Sequence, residues 1–224
     1  MAKNIGVLLS GCGVYDGSEI QEAVLTLLFL ERSGAQSVCL APDMNQVHVI
    51  DHLTQAQEEA PRNVLTEAAR IARGEIRSLT DVAADELDAL ILPGGFGAAK
   101  NLCDFALVGP EARVQPQVAA LLEAIHAQGK PIGAMCIAPA VVVRVLGAAS
   151  PQVTIGNDAG TAAGIEAMGG RHVNCAVDDI CTDAAHKIVT TPAYMLGPGI
   201  TDIAKGIEKL VEQVLAWISP ESRP

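Results

Sequence analysis

The sequence predicts an α/β fold built on a mostly parallel sheet with helices on both faces. Short apolar runs of strand length alternate with longer stretches of helical period through nearly all of the 224 residues. Two of these runs, ALIL at 89–92 and PIGAM at 131–135, are apolar or tiny at successive positions, the pattern of a strand buried on both faces. Hydrophobic residues make up 50% of the chain and aromatics only 3%, so the core must be Ala, Val, Leu and Ile, which lets helices lie close on a sheet.

Taken in order, the first strand is Asn4 to Ser10, followed by a loop from Gly11 to Ser18 and a helix from Glu19 to Ser33 that Gly34 terminates. A second strand, Ser37 to Ala41, stops at Pro42. Residues 43–85 read as an insertion, with a hairpin around His48 and a helix from Arg62 to Arg73. Ala89 to Leu92 is a strand running into PGGFG, and a helix from Pro116 to Gln128 leads to the strand 131–135. Beyond it come Gln152 to Ile155, a small helix Thr161 to Ala167, strands at Arg171 to Ala176 and Lys187 to Thr190, and a last helix from Thr201 to Trp217. No Ser/Gly- or Pro-rich linker interrupts the series, so residues 1–220 form one domain.

Charge and cysteine usage narrow the function classes. A formal net charge of -11 repels nucleic-acid phosphates and anionic membrane surfaces, so neither is an expected partner. No apolar run reaches membrane-spanning length, and the N-terminus lacks a secretory pattern. Six cysteines, at 12, 39, 103, 136, 175 and 181, contain no CxxC pair, which suits reduced thiols in the cytoplasm. No Walker loop, GxGxxG or zinc spacing occurs, so no cofactor or metal is expected.

The chemistry concentrates at KPIGAMCIAPA, residues 130–140. Cys136 follows a buried strand, and Pro139 three residues later suits the first turn of a helix, so the helix is expected to begin near the thiol. Free N–H groups there favour a thiolate and a lowered pKa. A buried structural cysteine is the plain alternative. Gly133 and Ala134 are read as small residues that let backbone crowd the elbow. Gly94-Gly95, after the strand at 89–92, can bring main chain close and aim an N–H outward, so that with the N–H of Ile137 it forms an oxyanion hole. Glu19 and Glu22 share a face of the first helix: Glu19 suits its N-terminus, and Glu22, followed by AVLTLLFL, is drawn inward.

The segments GVLLSGCGVYDGSEIQE, ALILPGGFGAAKNLCDFA, KPIGAMCIAPA and KIVTTPAYM together resemble the ElbB-type proteins of the DJ-one/PfpI branch, in the class I glutamine-amidotransferase-like superfamily. The resemblance covers nearly the whole chain. It implies a flavodoxin-like three-layer sandwich, a homodimer, a nucleophile-elbow cysteine with a nearby glutamate, and no metal or organic cofactor. Position by position the elbow cysteine is Cys136, the acid is Glu22 (12 before Gly34 in a helix ending ERSG), and the oxyanion donors are Gly95 and Ile137.

One departure from the superfamily pattern decides among its chemistries. Many members carry a histidine about twenty residues beyond the cysteine; here that position is Gly156. Without a base beside the thiol, peptide hydrolysis and amide transfer have no donor for the leaving amine. His126, His172 and His186 are possible substitutes and equally suit surface or core roles. What remains is a chemistry of cysteine and glutamate alone: glutathione-independent, glyoxalase-like conversion of small dicarbonyls to hydroxyacids (a lyase of the hydro-lyase type), which the resemblance implies. The alternatives are an oxidant sensor at Cys136 and a protein-interaction role, through 43–85, linked to isoprenoid biosynthesis. Cys12, Tyr15 and Asp16 on the first loop, and Asn157 and Asp158 where the histidine loop would be, are candidate pocket residues. Packing for Cys12, a turn at Asp16 and a helix cap at 157–158 are the plain readings.

Overall fold

A computed structural model describes residues 2–218; Met1 and residues 219–220 of the expected domain span lie outside the described residues. Its centre is a seven-stranded sheet whose order places the first strand in the interior and sends the chain to opposite sides of it. The strands are β1 (Asn4–Leu8), β2 (Gln36–Ala41), β3 (Ile76–Ser78), β4 (Ala89–Leu92), β5 (Ile132–Met135), β6 (Gln152–Val153), β7 (Arg171–His172), β8 (Cys181–Asp183) and β9 (Ile188–Thr191). The order is β3-β2-β1-β4-β5-β9-β8, parallel except where β8 pairs antiparallel with β9.

The period-two pattern sorts side chains into two layers. Ile5, Val7, Ala89 and Ile91 face one cluster, and Leu8, Leu90 and Leu92 face the other. The first cluster is covered by α1 (Ile20–Arg32), α2 (Val64–Ile71) and α7 (Ile200–Trp217). The second is covered by α4 (Pro116–Ala127), α5 (Pro139–Leu146) and α6 (Ala159–Ala167), with α3 (Phe105–Val108) a single turn beside it. This is the flavodoxin-like three-layer sandwich. Gly34, at φ +71°, ends α1 as expected.

Several elements differ from the sequence reading. The segment 43–85 does not merely sit on the fold, because its last part supplies β3, the parallel edge strand beside β2. The hairpin around His48 is reduced to the isolated bridges Ile50–Gln57 and Asn45–Asn63. The strand at Gln152 is two residues long and pairs with β7 in a separate two-stranded sheet. β8 was not anticipated, since CTD offers only three residues and an exposed middle one. Gly133 has no part in the elbow: a Cβ there would stand 2.8 Å from Leu210 Cδ2 and 3.1 Å from Val214 Cγ2, so its smallness lets α7 lie on β5.

Because β2 and β3 lie on one side of β1 while β4, β5 and β9 lie on the other, the chain reverses direction between β1 and β4. In open α/β sheets the carboxyl ends of the strands at such a reversal are where ligand sites form. The loop after β1, the PGGFG turn after β4 and the Cys136 turn after β5 all converge there.

Candidate functional site

Cys136 is the first residue past β5 and adopts φ +58°, a left-handed conformation that L-residues other than glycine, asparagine and aspartate seldom occupy. Such strain costs about 1–3 kcal/mol and persists only where the surroundings impose it. Here the Cys136 N–H donates to Thr191 O at 3.1 Å and the Ala138 N–H closes the turn on Met135 O at 3.0 Å. α5 begins only at Pro139, not at the cysteine itself. The residue as a whole retains 8% of its surface, and its thiol is buried against the Gly94 turn and the Glu22 carboxyl.

Glu22 meets it from α1. The carboxyl is wholly buried: Oε2 accepts from the Gly94 N–H at 2.8 Å, Oε1 accepts from the Tyr194 N–H at 3.2 Å, and the Cys136 thiol is its side-chain partner. The N–H groups of Gly95 and Ile137 both point at the Cys136 sulfur. Gly95 manages this at φ +91°, and a Cβ there would strike Gly17 O and Glu19 N, each at 2.4 Å. At Gly94 a Cβ would fall 2.4 Å from the Cys136 Cβ. Glycine at both positions is therefore what lets the β4 turn lie against the elbow.

Glu19 is the N-cap of α1, its Oε2 accepting from the Glu22 N–H at 2.7 Å, while its own N–H donates to Gly94 O at 2.9 Å. It thus ties the acid-bearing helix to the PGG turn.

The electrostatics correct one expectation. Burial, followed by the Glu19 charge, pushes Glu22 up to about 8, so that near neutrality it is mainly the uncharged acid. The Cys136 thiol is raised well above its ordinary value, first by burial and then by Glu22, against the lowering pull of the Gly95 and Ile137 amides. The sequence reading placed Glu22 near the thiol but weighed only the amides for Cys136 itself and predicted a depressed pKa. Burial and the carboxyl brought in by α1 outweigh them, and the resting pair shares protons as a neutral thiol and acid.

The other candidates fall elsewhere. Cys12 is half-buried and its charged neighbours are Glu67, Arg70 and Asp16, so it faces α2 rather than Glu22. Asp16 is a buried clasp: its Oδ2 accepts from the Ile50 N–H at 2.7 Å and its carbonyl from Asn101 Nδ2 at 2.9 Å, fastening the 43–62 excursion to the first loop. Tyr15 extends that clasp, its hydroxyl accepting from Gln55 Nε2. Asp158 caps α6 through the Thr161 N–H at 2.7 Å, and Asn157 beside it is exposed.

No histidine replaces the missing base. His126 and His186 pair with each other at 3.3 Å beside the amino ends of β5 and β9, at the opposite end of the sheet from Cys136, and His172 meets the Ile155 N–H. Among the described residues no group of three or more His, Cys, Asp or Glu could hold a metal ion, and no helix is long and apolar enough to cross a membrane.

Tyr194 is the site residue that sequence reasoning missed. It follows β9 in the KIVTTPAYM segment, gives its backbone N–H to Glu22 and its hydroxyl to Gln21 Oε1. A backbone donor carries no residue-type signal. The segment itself was the only available pointer.

No family model matches the chain. It is 46% identical to the human mitochondrial glutamine amidotransferase-like class 1 domain-containing protein 3, over 96% of this chain and 83% of that protein. Among solved structures it superposes with a TM-score of 0.92 and 37% identity on an isoprenoid biosynthesis protein with amidotransferase-like domain from Ehrlichia chaffeensis, covering 97% of this chain and all of that one. Glyoxalase III from Candida albicans shares the fold, with a TM-score of 0.64 at 13% identity over 97% of this chain and 98% of that one.

Proposed function

Since the chain belongs to the glutamine amidotransferase-like class 1 domain family, within the DJ-one/PfpI branch, we propose that it converts small dicarbonyls to hydroxyacids by a glyoxalase-like reaction needing only Cys136 and Glu22. The observation that carries this reading is the buried carboxyl partnered to a thiol at which two backbone amides also point.

The steps balance without a cofactor. The Cys136 sulfur bonds to the aldehyde carbon, its proton passing to ionised Glu22, and the carbonyl oxygen becomes a hemithioacetal oxygen held by the Gly95 and Ile137 amides. Glu22, having passed that proton to the oxygen, removes the hydrogen from the same carbon, leaving an enediolate, and returns it to the neighbouring carbon while the hydroxyl proton of the first carbon crosses to the neighbouring oxygen. The product is a thioester of the hydroxyacid. Water cleaves it, releasing the acid and restoring the thiol. Because Glu22 must be ionised to act as base, the rate is expected to rise toward pH 8 and flatten above it.

Purified protein should consume glyoxal and methylglyoxal, and Cys136→Ala should reduce that to the buffer rate. Equal consumption by both would end the proposal. The oxidant-sensor reading is less well supported, because burial and Glu22 hold the thiol in its less oxidisable neutral form. A cytoplasmic setting is proposed with the reaction, on the free state of all six cysteines, although the human relative is named as mitochondrial.

A homodimer is also proposed. Ile20, Val24 and Leu28 recur at every fourth residue of α1 and are 43%, 47% and 39% exposed, an apolar stripe on the face away from the sheet. Light scattering should give twice the 23.2 kDa chain mass, and Val24→Asp should halve it. A wild-type monomer at micromolar concentration would remove this proposal.

A further inference from the structure

His126 and His186 come from different elements and meet nitrogen to nitrogen. His126 stands in the last turn of α4 and His186 in the turn between β8 and β9, both at the end of the sheet opposite Cys136. His126 Nε2 and His186 Nδ1 are 3.3 Å apart, with ring centroids at 5.4 Å and planes 32° apart, so the rings meet by their edges and do not stack. Two nitrogens that hold one tetrahedral ion at about 2.0–2.1 Å each stand about 3.3 Å from one another. The pair already has the separation of two ligands to a single ion.

The surroundings suit a cation. The last turn of α4 carries the negative end of the helix dipole, and His126 lies within it. Behind His186 stands Asp183, 5% exposed, whose Oδ1 accepts from the His186 N–H at 3.2 Å and whose Oδ2 accepts from the Gln152 N–H at 2.8 Å. Its ion-pair partner Arg171 reaches no closer than 3.7 Å and is 61% exposed, so the carboxylate is only partly neutralised. Lys187 and Lys130 turn their ammonium groups to backbone carbonyls instead, Trp217 O at 3.4 Å and Ala84 O at 2.8 Å. Both rings are half-buried, which leaves room for water at the ion.

The His186 turn is also held under strain. Lys187, the next residue, adopts φ +51°, a left-handed conformation costly for a residue with a side chain, and its carbonyl is pinned by the Ile132 N–H at 2.9 Å. The imidazole is thereby fixed against α4 by the start of β5.

We propose that His126 and His186 form a binding site for a divalent transition-metal ion of the zinc type, with Nε2 of the first and Nδ1 of the second as ligands and water in the remaining positions. Imidazole nitrogen selects such ions over magnesium and calcium, which take oxygen ligands. Two protein ligands, against the three of a catalytic zinc centre, make the site reversible. In the free pair one facing nitrogen carries the proton of the hydrogen bond; on binding, that proton moves to the outward nitrogen of the same ring and both facing lone pairs go to the metal. The bound ion ties α4 to the β8–β9 turn across 60 positions of sequence.

Equilibrium dialysis of the untagged protein against zinc at neutral pH tests this. The wild type should take up one zinc per chain more than His126→Ala or His186→Ala at the same free zinc. Each variant should lose at least about tenfold in affinity, the least that even an outer partner of a metal site contributes. All six cysteines remain in the three proteins, so zinc held by thiols cancels in the comparison. Excess magnesium should displace none of the difference. Equal uptake by the wild type and either variant overturns the proposal, as does displacement by magnesium.

Should a variant fail to fold, carbethoxylation of the wild-type protein with diethylpyrocarbonate decides, read by peptide mass spectrometry with and without zinc. His126 and His186 should both lose most of their labelling when zinc is present, while His48 keeps its own. Labelling of either ring that is indifferent to zinc counts against the site. Neither measurement reads turnover at Cys136, so the result stands apart from the glyoxalase reading.

Discussion

Glu22→Gln is expected to give a protein that is more stable than the wild type at pH 8 and has lost nearly all of its turnover. The two effects have one cause. Folding moves this carboxyl from its ordinary range to about 8, so between those limits the unfolded chain has released a proton that the folded chain retains. A raised carboxyl pKa means that its stabilising contribution is complete below the unfolded value and is lost as pH rises toward 8. The loss is about 1.4 kcal/mol for each pH unit. Glutamine is nearly the same shape and never ionises, so it escapes that loss. Its single acceptor oxygen serves only one of the Gly94 and Tyr194 N–H groups well, which offsets part of the gain.

The net expectation is a gain of about 2 kcal/mol at pH 8, or roughly 4–8 °C in Tm for a chain of this size, reversing to a loss of about 1–2 kcal/mol near pH 5, where only the hydrogen-bond cost remains. Glyoxal turnover should fall about 10²–10⁴-fold, the range over which a positioned acid–base group contributes. Thermal melts at the two pH values, with a rate assay, check both. A variant less stable than wild type at pH 8 would mean that Glu22 is held as a well-satisfied carboxylate and carries no buried proton.

Gly94→Ala should damage both stability and turnover. The added methyl would stand 2.4 Å from the Cys136 Cβ, 2.8 Å from Glu22 Oε2 and 2.9 Å from the sulfur, and the Cys136 Cβ cannot rotate away. Either the β4 turn or the elbow must move. Overpacking costs about 1–3 kcal/mol, and stretching the Gly94 N–H to Glu22 bond leaves a buried acceptor short of a donor at a similar cost. A total of about 3–5 kcal/mol is expected, roughly 6–20 °C in Tm, with turnover lost. Gly34→Ala is the control, because nothing lies within 4 Å of its Cβ and only its φ of +71° resists the change. It should cost about 1 kcal/mol and leave the rate unchanged. If Gly94→Ala melted like Gly34→Ala, the close approach of the β4 turn to Cys136 would be mistaken.

How much of this was legible in the sequence follows from the range of each signal. Ala89–Leu92 and α1 were readable because an unbroken apolar run and a capped helical period are local patterns. The elbow was readable because strand, thiol and Pro139 lie within a few residues of one another. β3 and β8 were not, since three residues with partly exposed side chains become strands only when β2 and β9 offer hydrogen bonds. The direction of the Cys136 shift was misread for the same reason. Helix-start amides are visible beside the cysteine in the sequence, whereas the burial that raises the thiol most, and the Glu22 carboxyl that adds to it, both come from tertiary packing. Tyr194 lies 172 positions from Glu22 and acts through its main chain, so its side chain could not have announced it.

The Cys136 sulfur as the atom that bonds to the carbonyl carbon is tested most directly by rapid quenching of the protein mixed with methylglyoxal near pH 8, followed by peptide mass spectrometry. One methylglyoxal mass should appear on the Cys136 peptide before any lactate forms and should disappear at the rate at which lactate accumulates. Lactate formed with no adduct on that peptide, or adducts confined to lysine and arginine side chains, would contradict the account.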